Sequence, residues 1–424
     1  MNDSRGFALV AVLLLVAVAG LVTATVLQTT STEIRISGNH KQAVQELYAA
    51  EAGLAEARSR LRKTLGAEAA FIRDTAVPFD PSWTAYVLES AEWTPSVDPE
   101  YASHETNLIP VPGNPTNTVI RPNSVQTGLP YWVKIRHKTE YDAELAGHRP
   151  ATPHYVDLDG STSGHGKSNR GNVIYFGYPS TASRDPVSFT TNLPAPWLPV
   201  EKIVAYGAIT GGAVVLEEEV VHPPGPNQLG AVHASGEVSL SGQVTIDGHD
   251  ACGAVGSLPP VVYGGAITSA PTIHFDGTPA SPQHSSNAPV PATALAALKK
   301  DATVLNAAQM NQQLGTASVP MTFYAKGGSF AQPQGIRIRQ IRGFGILLVN
   351  GNATLEGEVH WDGMILVTGT LFLNGQGSGI VIRGGVWAGR VNQTGPVSVQ
   401  YDSCRLKAAL LTVPTQVRSW REIF

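Results

Sequence analysis

The stretch FALVAVLLLVAVAGLVTATVL, residues Phe7–Leu27, decides how the rest of the chain is arranged, because it holds no charged side chain. At a rise of about 1.5 Å per residue, a helix of this length reaches roughly 30 Å, the thickness of a bilayer's hydrocarbon core. In hydrocarbon every backbone amide must pair within its own segment, and a helix meets that demand. Leu9, Leu13, Val16 and Leu21 are spread along the run as candidates for packing against lipid or a neighbouring chain. The helical pattern then continues past the membrane boundary. Ala43, Leu47, Ala50, Leu54, Ala57, Leu61 and Leu65 recur at three- and four-residue steps, which places them on one helical face. Glu56 and Arg60 sit four apart, in the favourable order, on the polar side. The pattern predicts one rod over residues 7–65, transmembrane over 7–27, with its rear stripe packed on a folded body.

Three readings fit an apolar run at this position. A removable secretory signal has an apolar region of only about 7–15 residues, shorter than this one. A plain single-span anchor is the second. The third rests on Arg5-Gly6-Phe7, which resembles the processing site of type IV prepilins. That resemblance implies cleavage behind Gly6 by a prepilin peptidase, so that residues 1–6 are a leader and Phe7 becomes an N-methylated terminus. The continuation TEIRISGNHKQAVQELYAAEAGLAEAR (Thr32–Arg58) resembles the N-terminal module of PilX-type minor pilins, through Glu33, Arg35, Asn39 and Ala49-Ala50-Glu51-Ala52. The family implies a pilus subunit held first in the bacterial inner membrane and later in an extracellular filament. Its implied partners are other minor pilins, the major pilin and a large tip adhesin. One position departs from the common pilin pattern: the fifth mature residue, usually glutamate, is Ala11. A carboxylate there is useful only when a subunit ahead neutralises it in the apolar surroundings. Its absence suggests a place at or near the tip.

At 424 residues the chain is long enough for two or three domains, and it carries a net charge of −4 with 15% charged residues. That balance offers no basic field for nucleic acid. Its 43 glycines and 30 prolines point to turns and strands more than to helices. Cys252 and Cys404 suit an exported protein with at most one disulfide. Joining them would close a loop of about 150 residues, worth several kcal/mol, but sequence leaves open whether they are joined.

Residues 66–199 read as a pilin-like α/β region with proline-rich loops. Trp83, Trp93 and Tyr101 are expected to pin it onto the helix stripe, and Tyr131–Lys138, His154–Leu158 and Asn172–Tyr178 to form a small antiparallel sheet. The loop Asp157–Asn172 opens like a calcium loop, yet Ser168 stands where a ligating glutamate would be needed. Pro179–Pro199 reads as a connector.

From residue 200 to 404 the chain repeats. Gly345, Gly351 and Gly357 map onto Gly363, Gly369 and Gly375 at a spacing of 18, and Leu348, Val349 and Leu355 map onto Leu366, Val367 and Leu373. Ala231–Gly242 matches the same template, Ile380–Gly389 starts another turn, and Ile203–Leu216 is a weaker copy. Short apolar strands with glycine corners at this period predict a right-handed parallel β-solenoid, with an antiparallel sandwich as the competing arrangement. Asp247–Pro291 is expected to be a long loop, residues 291–315 a helical insertion, and residues 405–424 a tail folded back through Trp420, Ile423 and Phe424. The fold class expected is therefore α+β: a long N-terminal helix with a small antiparallel sheet, followed by the solenoid.

Catalysis finds little support. Asp247, His249 and Asp250 suit a turn leading to a half-cystine, Glu217–Glu219 a solvated edge, and Arg337, Arg339 and Arg342 the solvent face of a strand. Glu356, Glu358, His360 and Asp362 alternate along one strand face without the ligand spacing of a zinc site. No phosphate loop, nucleophile elbow or dinucleotide fingerprint is present. The expectation is a structural minor pilin that is not an enzyme and has no catalytic residue, cofactor or metal. Two alternatives stand beside it. One is a minor pseudopilin of type II secretion, and the other is a membrane-anchored β-solenoid that binds or processes polysaccharide.

Overall fold

The computed structural model describes residues 4–62, 79–88, 95, 98, 100–101, 117–120, 130–145, 155–156, 170–176, 198–209, 212–222, 226, 228–254, 256–286, 290–306, 309–327 and 335–423. A single helix, α1, runs Ser4–Leu61. Leu65, Trp93, Phe424, the loop from 157 to 169 and most of the connector at 179–199 lie outside the described residues.

The rear of α1 lies on an antiparallel sheet. Tyr131–His137 pairs antiparallel with Thr84–Leu88 on one side and with Leu198–Ile209 on the other. Leu198–Ile209 forms a hairpin with Gly212–Val221, whose other edge receives the last strand, Gln416–Ile423. Tyr155–Val156 and Tyr175–Phe176 extend the sheet from the end of Leu198–Ile209. The short helix α2 (Glu140–Leu145) follows Tyr131–His137 and buries Glu140 and Asp142. Alternation assigns the faces. Trp83, Ala85, Val87, Val133, Ile135, Ile203, Ala205, Leu216 and Val220 form one core with Ala49, Ala50, Leu54, Ala57 and Leu61 of α1. Tyr101 does not join the helix stripe as expected. It packs with Tyr86, Leu88 and Trp132 in a separate cluster.

Between the neighbouring strands Gly212–Val221 and Gln416–Ile423 the chain makes a second body, a large curled sheet of parallel strands. Arg342–Val349 pairs in register with His360–Val367, so the 18-residue repeat is a physical offset that sets Gly345 beside Gly363 and Leu348 beside Leu366. Ile380–Gly384 continues onto Val397–Tyr401, and Val386–Ala388 onto Val232–Ala234. The inward side chains make one continuous core from Val232 to Val413.

Several expectations are corrected here. Ile203–Leu216 is not a turn of the parallel body but part of the antiparallel hairpin, so the parallel strands start at Val232 rather than at residue 200. The segment 247–291 is not a loop. Val261–Tyr263, Ile267–Ser269 and Ile273–Asp276 pair parallel with Val232–Ala234, Val238–Leu240 and Val244–Asp247. Strands of three or four residues between glycine corners are too short to show a period, which hides them in sequence. The helix expected over 291–315 is only α3, Pro291–Leu298. Asp301 takes a left-handed φ of 59°, and β-branched Thr303-Val304 then joins a ladder with Phe323–Ala325. The tail contains α4, Ser403–Leu410, capped by the Asp402 carboxylate accepting from the Arg405 amide, and then the last antiparallel strand.

The parallel body is thus inserted into a hairpin, with Val221 and Gln416 still register partners at its root. His222, just past that root, is buried and hydrogen-bonds the backbone of Val413 on the returning chain. His233 is buried beside Trp387, rings stacked at 5.1 Å, and neither of its ring nitrogens has a partner among the described residues. Burial holds both imidazoles down to about 4. The folded protein therefore binds fewer protons than the unfolded chain between that value and the ordinary histidine value near 6.5. Stability is full above pH 6.5 and falls as the pH drops toward 4, by about 3 kcal/mol for each ring. Urea midpoints measured from pH 7 to 4 should show this loss, and His233→Phe should remove about half of it. A flat profile across that window would contradict the buried neutral assignment.

Candidate assembly interface

The front of α1 has no partner within the chain among the described residues. Leu9, Leu13, Val16 and Leu21 are 64, 61, 60 and 72% exposed, and no buried residue precedes Glu46 on the described part of the helix. Exposed leucines and valines over this length form an apolar surface far larger than a soluble monomer leaves in water. Among the described residues it is the one helix long and apolar enough to cross a membrane. Gly6 and Phe7 lie in its first turns.

Burial begins at Glu46, later than the stripe suggests, and Ala43 is exposed. Small residues let the helix descend onto the sheet backbone. A Cβ at Gly207 would stand 2.2 Å from the Glu46 carbonyl oxygen and 2.5 Å from the Ala50 amide. A Cβ at Gly53 would stand 2.8 Å from a Val133 methyl group. Glu46 accepts from Gln42 Nε2 at 3.0 Å, and its carboxylate fills the space where a side chain at Gly212 would go. Near the helix end, Arg58 Nη1 donates to the buried Glu218 at 3.2 Å, while burial pushes that carboxyl up against the pull of Arg58. Arg60 donates to Glu56 at 2.6 Å. The final turn reaches the second body, where Arg62 donates to the Thr412 carbonyl at 2.9 Å and to Asp301 at 3.2 Å.

Glu217–Glu219 are therefore not a solvated edge. All three are buried: Glu217 binds Lys202 and Arg421, Glu218 binds Arg58, and Glu219 binds Lys138. On the same sheet Arg136 grips Asp142 with two bonds of 2.5 Å. Although burial pushes the Asp142 carboxyl up, that grip outweighs it and holds the group down to about 2.

The acidic candidates of the parallel body do not converge on one centre. Glu356 pairs with Arg339, Glu358 accepts from the Ser378 amide, and Asp362 pairs with Arg405 at 2.7 Å. Asp247, His249 and Asp276 do come together, with one ligand atom from each within 4.8 Å of the others, so among the described residues they form a group that could hold a metal ion. Asp250 points elsewhere and accepts from the Ser403 amide and hydroxyl, both at 2.8 Å. Cys252 and Cys404 are joined in a disulfide with a Cα separation of 5.8 Å.

Residues 5–55 match a family model described as PilX N-terminal. Over this stretch the chain is similar to the PilX N-terminal family. The match ends inside α1, so it covers the rod and leaves both sheets to be read from their own geometry. No curated protein and no solved structure matches the chain. The match relates the front of α1 to PilX N-terminal sequences, and the exposed apolar helix is consistent with membrane anchoring.

The residues that seat this PilX-type helix, Gly53 and Gly207, were not singled out by the stripe of larger apolar side chains. The signal for them was a glycine inside an otherwise regular helix and another inside a strand, each marking close backbone approach. Gly207→Val should destabilise the protein by about 3 kcal/mol through overpacking against the α1 backbone, read from chemical denaturation. Gly20→Ala, on the exposed front with nothing within 4 Å of the added carbon, should leave the denaturation midpoint unchanged.

Proposed function

We propose that this protein is a minor pilin of a type IV pilus, a structural and assembly-priming subunit that acts at or near the tip and supports adhesion or motility. The observation that carries the reading is the division of α1: a PilX-type front with its apolar side chains exposed, and a rear locked to the sheet. A rod built this way can leave lipid only if other protein covers it, and matching helices of fellow pilins offer such a cover. Ala11 in place of the usual glutamate supports a position with no subunit ahead. The bulk of the parallel body, set in the last hairpin and away from the front of the helix, also suits a tip better than a repeated shaft. Its 18-residue register and glycine corners support reading it as a right-handed β-solenoid, to which the proposal gives a binding role. Partners on this reading are other minor pilins, the major pilin and a large tip adhesin, after processing by prepilin peptidase. The chain starts in the inner membrane and ends in the extracellular pilus.

Mass spectrometry of the protein from sheared filaments should find an N-methylated terminus at Phe7. Gly6→Leu should leave the leader attached and keep the chain in the inner-membrane fraction. An intact Met1 on wild-type protein, together with its absence from filaments, would overturn the proposal.

A further inference from the structure

The parallel sheet has one junction unlike its others. The other described pairings join residues no more than 29 positions apart, as Val232 with Val261 or Gln313 with Arg342. Val232–Ala234 also pairs with Val386–Ala388, Val238–Leu240 with Val391–Gln393, and Val244–Asp247 with Val397–Gln400. The chain enters the sheet there and builds outward to one edge. It then crosses by way of α3, restarts at the opposite edge with Thr303–Leu305, and returns to meet its own first strands. Every other described rung joins strands close in sequence. Across this one the backbone is held by bonds such as Gly236 N–H to the Gly389 carbonyl at 2.8 Å, Ser241 N–H to Gln393 at 3.0 Å and Val397 N–H to Gln243 at 3.0 Å.

Just past the end of that junction the two sides are clasped a second time. The Ala251 amide donates to the Tyr401 carbonyl at 3.0 Å, the Gln400 side chain donates to the His249 carbonyl at 2.7 Å, and the Asp250 carboxylate takes both Ser403 donors. There, too, is the Cys252–Cys404 disulfide, and both of its half-cystines are exposed to solvent. A structural cross-link buried in a core resists thiols by inaccessibility, a protection that exposed half-cystines lack.

We propose that the Cys252–Cys404 disulfide is a reducible seal on this junction, and that a dithiol reductant opens the junction while the remainder of the parallel sheet stays paired. In the exchange a thiolate of the dithiol attacks one protein sulfur, and its second thiol resolves the mixed disulfide. The protein S–S bond is broken, an S–S bond forms in the reductant, and two electrons and two protons pass to Cys252 and Cys404. Removing the cross-link frees the first strands from a tie spanning residues 252–404, which restores the conformational entropy the closed loop had removed. Opening would then present two parallel strand edges able to pair with other extended segments.

The test is hydrogen exchange on the folded full-length protein in detergent, before and after dithiothreitol, with alkylation reporting how much of the bond is reduced. Protection of amides in Val232–Asp247 should fall at least tenfold on reduction, that of Gly345–Val367 should not change, and re-oxidation should restore the first. The Cys252→Ser/Cys404→Ser double variant should reproduce the reduced pattern. If that variant fails to fold, the reduced wild-type protein still decides. Unchanged protection at the junction, equal loss across both regions, or a bond that dithiothreitol does not reduce in the folded protein would each overturn the proposal.

Discussion

The close seat of the helix on the sheet governs the rest of the structure. Ala49, Ala50, Gly53 and Gly207 bring two backbones nearer than larger side chains would allow, and Leu54, Ala57 and Leu61 then reach the sheet core. Dispersion falls off steeply with distance, so this nearness gives many weak contacts at once. It also settles which part of the helix belongs to the fold. The rear has its partner within the chain, while the front presents an apolar surface without one among the described residues. Charge strengthens the same seat, since Arg58 and Arg62 tie the last turns of the helix to the antiparallel sheet and to the parallel body respectively.

The parallel body tolerates its position because it enters and leaves the antiparallel sheet at neighbouring strand ends. Val221 and Gln416 would face each other in an ordinary hairpin, and the inserted chain returns to the place it left. Each part has its own core, one around α1 and one running from Val232 to Val413. Domains inserted between close chain ends cost the host little, because the host's own contacts are preserved. The contacts at the root, His222 with Val413 and Arg62 with Thr412, tie the insertion to its host.

What was legible in sequence followed the length of the signal. The apolar run and the stripe from Ala50 to Leu61 extend over many turns, and the helix they predict is present. The repeat of Gly345 onto Gly363 became the register itself. The insertion was hidden because Val200–Leu216 is rich in the same residues as the parallel strands, and composition does not distinguish parallel from antiparallel neighbours. The last strand was equally hidden, since its partners lie some two hundred positions away. Glu217–Glu219 misled for a related reason. A run of carboxylates is ordinarily solvated, but here Lys138, Lys202, Arg58 and Arg421 come to it from four separate stretches of the chain. The Asp247, His249 and Asp276 grouping was half visible, because Asp276 joins only through the parallel pairing of Val244–Asp247 with Ile273–Asp276.

On the proposed assembly, the apolar front of α1 exchanges lipid for the helices of neighbouring subunits. A photo-crosslinking amino acid placed at Leu13 or Leu21, activated in intact filaments, tests that exchange directly. Covalent adducts with the N-terminal helices of other pilins are expected, and none from the same probe placed at the buried Leu54. Adducts with lipid alone, from protein that never leaves the membrane, would contradict it.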